Sequence, residues 1–205
     1  MKRPILILLC LALFLFSPAA SCKPRRTTDA ASGEPSRNVS RSDYYDPATA
    51  GPGYPGRTDF RVFLVKDDIT SPPPSRLSFP SRWEACRDAV EMFRAPLAER
   101  GKRLVYVDSP ETADCVLPQW GDCHPGVDAW TAPAGAPDAG TVHFCSGSYD
   151  RLSDKQLSAN AAHEVLHVLG VGKHSDDVRD VGHPRSRASR LTDRDLDTLR
   201  KVLKP

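Results

Sequence analysis

The sequence predicts an α+β fold, a small twisted mixed sheet with helices packed against it. Three observations predict this. Short β-rich runs recur at Phe60–Val65, Arg103–Val107, Cys115–Gln119 and Thr141–Cys145. Between the first two, Trp83, Cys86, Val90, Phe93 and Leu97 repeat every three or four residues, the spacing of one helical face. After the last, Leu157, Ala159, Ala161, Ala162, Val165, Leu166, Val168 and Leu169 make a run that is apolar nearly all round, as suits a buried helix.

The chain divides into three parts. Met1-Lys2-Arg3 is a basic start, and Ile5–Phe16 is an apolar run too short for the roughly 20 residues of a membrane-spanning helix. Small residues follow, so 1–21 reads as a secretory signal peptide. Cys22, after Ala19-Ala20-Ser21, resembles the lipidated cysteine of bacterial lipoproteins, and plain cleavage after Ala20 is the alternative. Either route puts the mature protein outside the cytoplasm, as an envelope lipoprotein or a secreted protein, with membrane attachment only through a lipid on Cys22. Residues 22–58 are rich in Pro, Gly, Ser and Arg and poor in large aliphatics. Such a stretch buries too little surface to offset its ordering entropy and is expected to be a disordered tether, Tyr44, Tyr45 and Tyr54 included. Residues 59–205 form the domain, large enough for one core.

Within that domain, Phe60–Val65 reads as a buried strand, followed by the loop Ser71-Pro72-Pro73-Pro74. Ser81-Arg82-Trp83-Glu84 is a capping box that opens the first helix. Pro118 cannot donate to a ladder, which places the third strand at an edge or a bulge. Residues 121–140 read as a Gly/Pro/Ala loop. Ser153-Asp154-Lys155-Gln156 caps the apolar helix, and Thr192 caps a last amphipathic helix carrying Leu196, Leu199 and Leu203. The domain carries 20 basic and 22 acidic residues with no basic face, which argues against a nucleic-acid partner.

Four cysteines remain in an exported domain, Cys86, Cys115, Cys123 and Cys145, and suggest two disulfides. Cys115–Cys123 with Cys86–Cys145 is the favoured pairing among three. A competing use of Cys123, with Asp122, His124 and perhaps His143, is a second metal site; a second, structural metal is not expected, and His143 is expected to hydrogen-bond within the sheet.

The chemistry concentrates in His163-Glu164-Val165-Leu166-His167-Val168-Leu169-Gly170-Val171-Gly172-Lys173-His174. On a helix, His163 and His167 leave the same face one turn apart. Two neutral imidazoles at that spacing can hold one Zn²⁺, with Glu164 beside them as a general base that is not itself a ligand. A glycine at 170 can take the left-handed conformation that ends a helix, and the turn would bring His174 round as a third ligand. Three protein ligands leave the open position that a catalytic zinc needs. Asp176, Asp177 or Asp180 is a minor alternative for the third place, and His183 a candidate fourth ligand or substrate-facing group.

This stretch resembles the zinc helix of the metzincin metallopeptidases, H-E-x-x-H-x-x-G-x-x-H, and most of all their matrixin-like group. Thr141-Val142-His143-Phe144 resembles the strand before that helix, Ala113-Asp114-Cys115-Val116-Leu117 an earlier strand start, His174-Ser175-Asp176-Asp177 the close of the matrixin motif, and Leu191-Thr192-Asp193-Arg194-Asp195 the start of the last helix. The resemblance spans about 59–205, strongly from 141 on. Two features depart from it. His174 lies four residues after Gly170, not three, with Lys173 in the family's ligand position; Gly172 gives the turn room for the extra residue. The family's Met beneath the zinc is absent: the matching segment is Asp180-Val181-Gly182-His183-Pro184, with Gly182 in its place.

The resemblance implies a metzincin-like catalytic domain binding one zinc through His163, His167 and His174. It implies a zinc endopeptidase with Glu164 as general base, acting on protein or peptide substrates; separately, the domain is expected to be a monomer. The alternative is an inactive zinc-binding surface lipoprotein that serves as a protein-binding module.

Overall fold

A computed structural model describes residues 44–46, 57–65, 79–121, 123, 127–132, 136–145 and 152–203. All of them fall in one compact unit, Ser40–Pro205. The expected signal peptide, Cys22, most of the expected tether, the loop at 71–74, Asp122 and His124 lie outside the described residues. No helix among the described residues is long and apolar enough to cross a membrane.

In chain order the elements are β1 (Asp59–Leu64), α1 (Phe79–Glu91), α2 (Arg94–Glu99), β2 (Arg103–Tyr106), β3 (Cys115–Gly121), β4 (Ala129–Thr131), β5 (Thr141–Cys145), α3 (Asp154–Val168) and α4 (Asp193–Val202). The strands form one mixed sheet in the order β2-β1-β3-β5-β4. All pairings are parallel except β4 with β5, which is antiparallel. The α+β expectation therefore holds.

The alternation of β1 is that of a strand with one face on the core: Phe60, Val62 and Leu64 are buried, and Arg61 and Phe63 are partly exposed. Asp114, just before β3, ties β3 to β1. Its carboxylate accepts from the Arg61 backbone N–H at 2.9 Å and from the Arg61 guanidinium at 3.1 and 3.2 Å. The core lies where Phe60, Val62, Leu117, Val142 and Phe144 meet Cys86, Val90 and Phe93 of the first helical stretch and Leu157, Ala161, Val165 and Leu166 of α3. Alanines on α3 keep it slim enough for α1 to pack closely against it.

Several boundaries differ from the sequence reading. The first helix begins at Phe79, so Ser81 is inside it and not its cap. The stripe from Trp83 to Leu97 runs across two helices, because the chain breaks at Met92 and Phe93. Pro118 marks a bulge: Val116 pairs with Thr141 but Gln119 pairs with His143, which leaves one extra residue on β3. That strand is nonetheless interior, between β1 and β5. Residues 129–131, expected as loop, form β4; three residues are too few to show a period of two.

The expected disulfides do not form. Cys123 is bonded to Cys145, with Cα atoms 5.2 Å apart, and Cys86 and Cys115 are free, buried thiols. Sheet order explains this. Parallel pairing sets Gly121 opposite Cys145, so Cys123 arrives next to it, whereas Cys115 begins the same strand at its other end. Burial pushes the Cys86 thiol up to about 12 and raises that of Cys115 as well, so both stay protonated.

Candidate metal centre

Helix α3 carries the site, and both of its ends are built as its residues demand. Ser153 and Gln156 form a reciprocal capping box: the serine hydroxyl accepts from the Gln156 backbone N–H, and the glutamine carbonyl accepts from the Ser153 N–H at 3.0 Å. At the other end Gly170 takes φ +100°, the conformation glycine adopts without penalty. Its N–H donates to His167 O, and the Val171 N–H donates back to Leu166 O, both at 3.0 Å. That double closure reverses the chain toward His174. Gly172 does not take a positive φ, so the extra residue before His174 is accommodated without left-handed backbone there.

The three histidines converge. Their ring nitrogens include one from each residue that all lie within 4.8 Å of one another. Ring centroids are 4.7 Å apart for His163 and His167 and 5.1 Å from each of these to His174. The Nε2 atoms of His163 and His167 are 3.1 Å apart. Each ring points its other nitrogen at a backbone carbonyl: His163 Nδ1 at Val181 O, 2.9 Å, and His167 Nδ1 at Val171 O, 2.6 Å. A carbonyl can only accept, so each Nδ1 carries the proton and each Nε2 presents a lone pair.

Two lone pairs facing each other at 3.1 Å repel unless something electropositive lies between them. The separation is close to the roughly 3.3 Å expected between nitrogens about 2.05 Å from one tetrahedral Zn²⁺. The carbonyl behind each imidazole is the support that metal-binding histidines usually have. Burial is the main influence lowering all three histidines, taking His163 to about 3, with the neighbouring rings adding to it in His163 and His174. Neutral imidazole is the form that binds metal. The three histidines can hold a metal ion, and by donor type and spacing they suit zinc.

Glu164 is buried, and its carboxylate accepts from Thr131 Oγ1 at 2.7 Å; the same hydroxyl lies 3.1 Å from Glu164 O. Burial raises Glu164 to about 7, against a smaller downward pull from Thr131. A carboxyl near 7 can take and return a proton at neutral pH.

The other candidates from the sequence are engaged elsewhere. Asp180 is buried, 2.5 Å from Ser175 Oγ, 2.6 Å from Thr192 Oγ1 and 3.1 Å from the Arg194 guanidinium. Asp177 binds Arg179, and Asp176 binds Arg194. His183 is outside the histidine cluster, and its Nδ1 accepts from the Arg185 N–H at 3.0 Å. His143 stacks on Trp130 with centroids 4.1 Å apart and bonds Asp138 at 2.7 Å, so its partner is in the turn before β5 and not in the sheet ladder. Cys123 is held in its disulfide, which removes the thiolate that the second metal site required.

Two residues around the site were not foreseen. Thr131 lies on a strand too short to signal itself. Tyr44, expected in the tether, is 4% exposed and packed in the core. A lone tyrosine pair among Pro, Gly and Arg carries no periodic signal of burial.

No protein-family model matches the chain, and no curated protein matches it. Among solved structures it is similar to that of myroilysin, with a TM-score of 0.46 and 13% identity, covering 77% of this chain and 96% of that chain. At that level the likeness establishes neither family nor activity.

Proposed function

We propose that this protein is a zinc-dependent endopeptidase, metzincin-like and nearest the matrixins, with His163, His167 and His174 as metal ligands and Glu164 as general base. The observation that carries this reading is the pair of Nε2 atoms 3.1 Å apart, each imidazole held from behind by a backbone carbonyl, with His174 closing the triangle. Three protein ligands would leave a fourth position on a zinc ion for water or substrate.

Zinc held there supplies Lewis acidity, enough to make water a nucleophile near neutral pH. Glu164 accepts the proton that the attacking water loses and later delivers it to the leaving amine. Its environment suits both transfers, since burial favours the protonated form and Thr131 supports the ionised one. Strand β4 is at the sheet edge and reaches Glu164 through Thr131. An extended peptide added along that edge would be aligned by backbone hydrogen bonds close to the base, which favours a protein or peptide substrate.

The reading includes export, as a secreted protein or a lipoprotein anchored at Cys22. The Cys123–Cys145 disulfide fits an oxidising compartment. The test is Glu164→Gln: it should keep zinc and lose about 10²- to 10⁴-fold in turnover. Wild-type turnover in that variant would remove the assignment.

A further inference from the structure

Beneath the histidines, Val181 and Gly182 connect two sides of the site. Val181 O supports His163, and Gly182 O accepts from the N–H of Ser175, next to His174, at 2.9 Å. The N–H groups of this dipeptide point the other way, to a fully buried carboxylate. Asp195 Oδ2 accepts from Val181 N at 3.0 Å, and Oδ1 from Gly182 N at 3.2 Å. Asp195 is also the third residue of α4 and completes its capping box with Thr192. Its oxygens are thus shared between helix and site.

One more donor reaches that carboxylate. Tyr44 Oη lies 2.5 Å from Asp195 Oδ1, from 151 residues away in sequence. The Tyr44 N–H donates to Thr198 Oγ1 on α4 at 3.3 Å, which anchors the backbone as well. The ring is pressed onto Gly182: a Cβ at that glycine would come within 2.3 Å of Oη, 2.4 Å of Cζ and 2.6 Å of Cε2. Gly182 does not have a positive φ, so nothing in its backbone demands glycine. What excludes a side chain there is the Tyr44 ring.

We propose that Tyr44 is a positioning residue for the metal site: ring and hydroxyl together brace Val181-Gly182 and Asp195, and so fix the carbonyl that orients His163. The inference rests on reading the histidine cluster as a metal site. It also makes the segment around Tyr44 part of the working domain.

The test uses the full chain with four substitutions: Tyr44→Phe, Tyr44→Ala, Gly182→Ala and the double Tyr44→Ala/Gly182→Ala. Zn²⁺ affinity is measured by competition with a chromophoric chelator, and the imidazole N–H resonance of His163 is followed in metal-free protein. Removing support behind a metal-binding histidine typically weakens binding about 10- to 100-fold. Tyr44→Ala is expected to fall in that range and to lose the protected His163 Nδ1–H signal, with Tyr44→Phe, which keeps the ring, falling less. Gly182→Ala is expected to weaken zinc binding in the wild-type background and to do no further harm beside Tyr44→Ala. A residue that merely fills the core would lower the melting temperature and leave zinc affinity and the His163 signal unchanged, and that result overturns the proposal. If Tyr44→Ala does not fold, unchanged zinc affinity in both Tyr44→Phe and Gly182→Ala overturns it equally. A wild-type chain that binds no zinc fails before any variant is compared, so loss of the metal-site reading is told apart from loss of this one.

Discussion

Thr131 Oγ1 lies 2.7 Å from Glu164 Oε2 and links the edge strand to the acid of the His-Glu-x-x-His stretch. The hydroxyl stabilises the ionised carboxylate while burial opposes it, so Glu164 is held between the two near 7. Thr131→Val keeps shape and removes the hydrogen bond. Glu164 should then move further up, and the acid limb of the kcat/KM–pH profile should shift to higher pH. A profile superimposable on wild type would mean that Thr131 does not tune this carboxylate.

The same carboxyl makes the stability of metal-free protein depend on pH in a definite direction. Its folded value of about 7 is above the ordinary 4.5, so the folded chain retains a proton that the unfolded chain has released. Stability from this group is full below about 4.5 and lost as pH rises through 7. His163 has the opposite sign. Its folded value of about 3 is below the ordinary 6.5, so stability is full above 6.5 and lost as pH falls toward 3. Glu164→Gln removes only the first effect. Metal-free Glu164→Gln should therefore gain on wild type between about pH 5 and pH 8, on the order of 1–3 kcal/mol, in urea unfolding at the two pH values.

Gly170 is where the helix must stop if His174 is to come back to the pair. At φ +100° an alanine is strained, at a cost of about 1–3 kcal/mol. Gly170→Ala should lower the melting temperature and weaken Zn²⁺ binding, because the strain is relieved by moving the turn that carries His174. Gly172→Ala, at a position without positive φ, should do neither to a comparable degree.

The Cys123–Cys145 bridge closes a segment with a sequence separation of 22. Loop entropy for that length corresponds to about 3 kcal/mol. Cys145→Ser should destabilise the oxidised protein by that order in denaturant titration. Peptide mapping after alkylation in denaturant should label Cys86 and Cys115 and leave Cys123 and Cys145 as a linked pair.

Much of the fold could be read from residue spacing, because spacing is what burial acts on. The strand at 60–65, the helix from Asp154 with its Ser153 cap and the Thr192 cap each follow from a local pattern. The histidine cluster was equally legible: two histidines four apart meet on any helix, and a glycine that can reverse the chain sits just beyond. What could not be read depends on contacts distant in sequence. The disulfide follows from β3 lying beside β5, which no spacing reveals. Thr131 acquires its role from pairing with β5, and Tyr44 from a pocket closed by Gly182 and Asp195, residues far along the chain.

Three histidines holding a zinc ion, with Glu164 turning it to peptide hydrolysis, is the central claim. Its most direct test is zinc stoichiometry measured with proteolysis of an unfolded protein substrate, on the full chain, wild type beside Glu164→Gln. One zinc is expected in both, with hydrolysis in wild type alone and abolished there by a chelator. A chain that binds no zinc, or one whose hydrolysis survives Glu164→Gln, would contradict it.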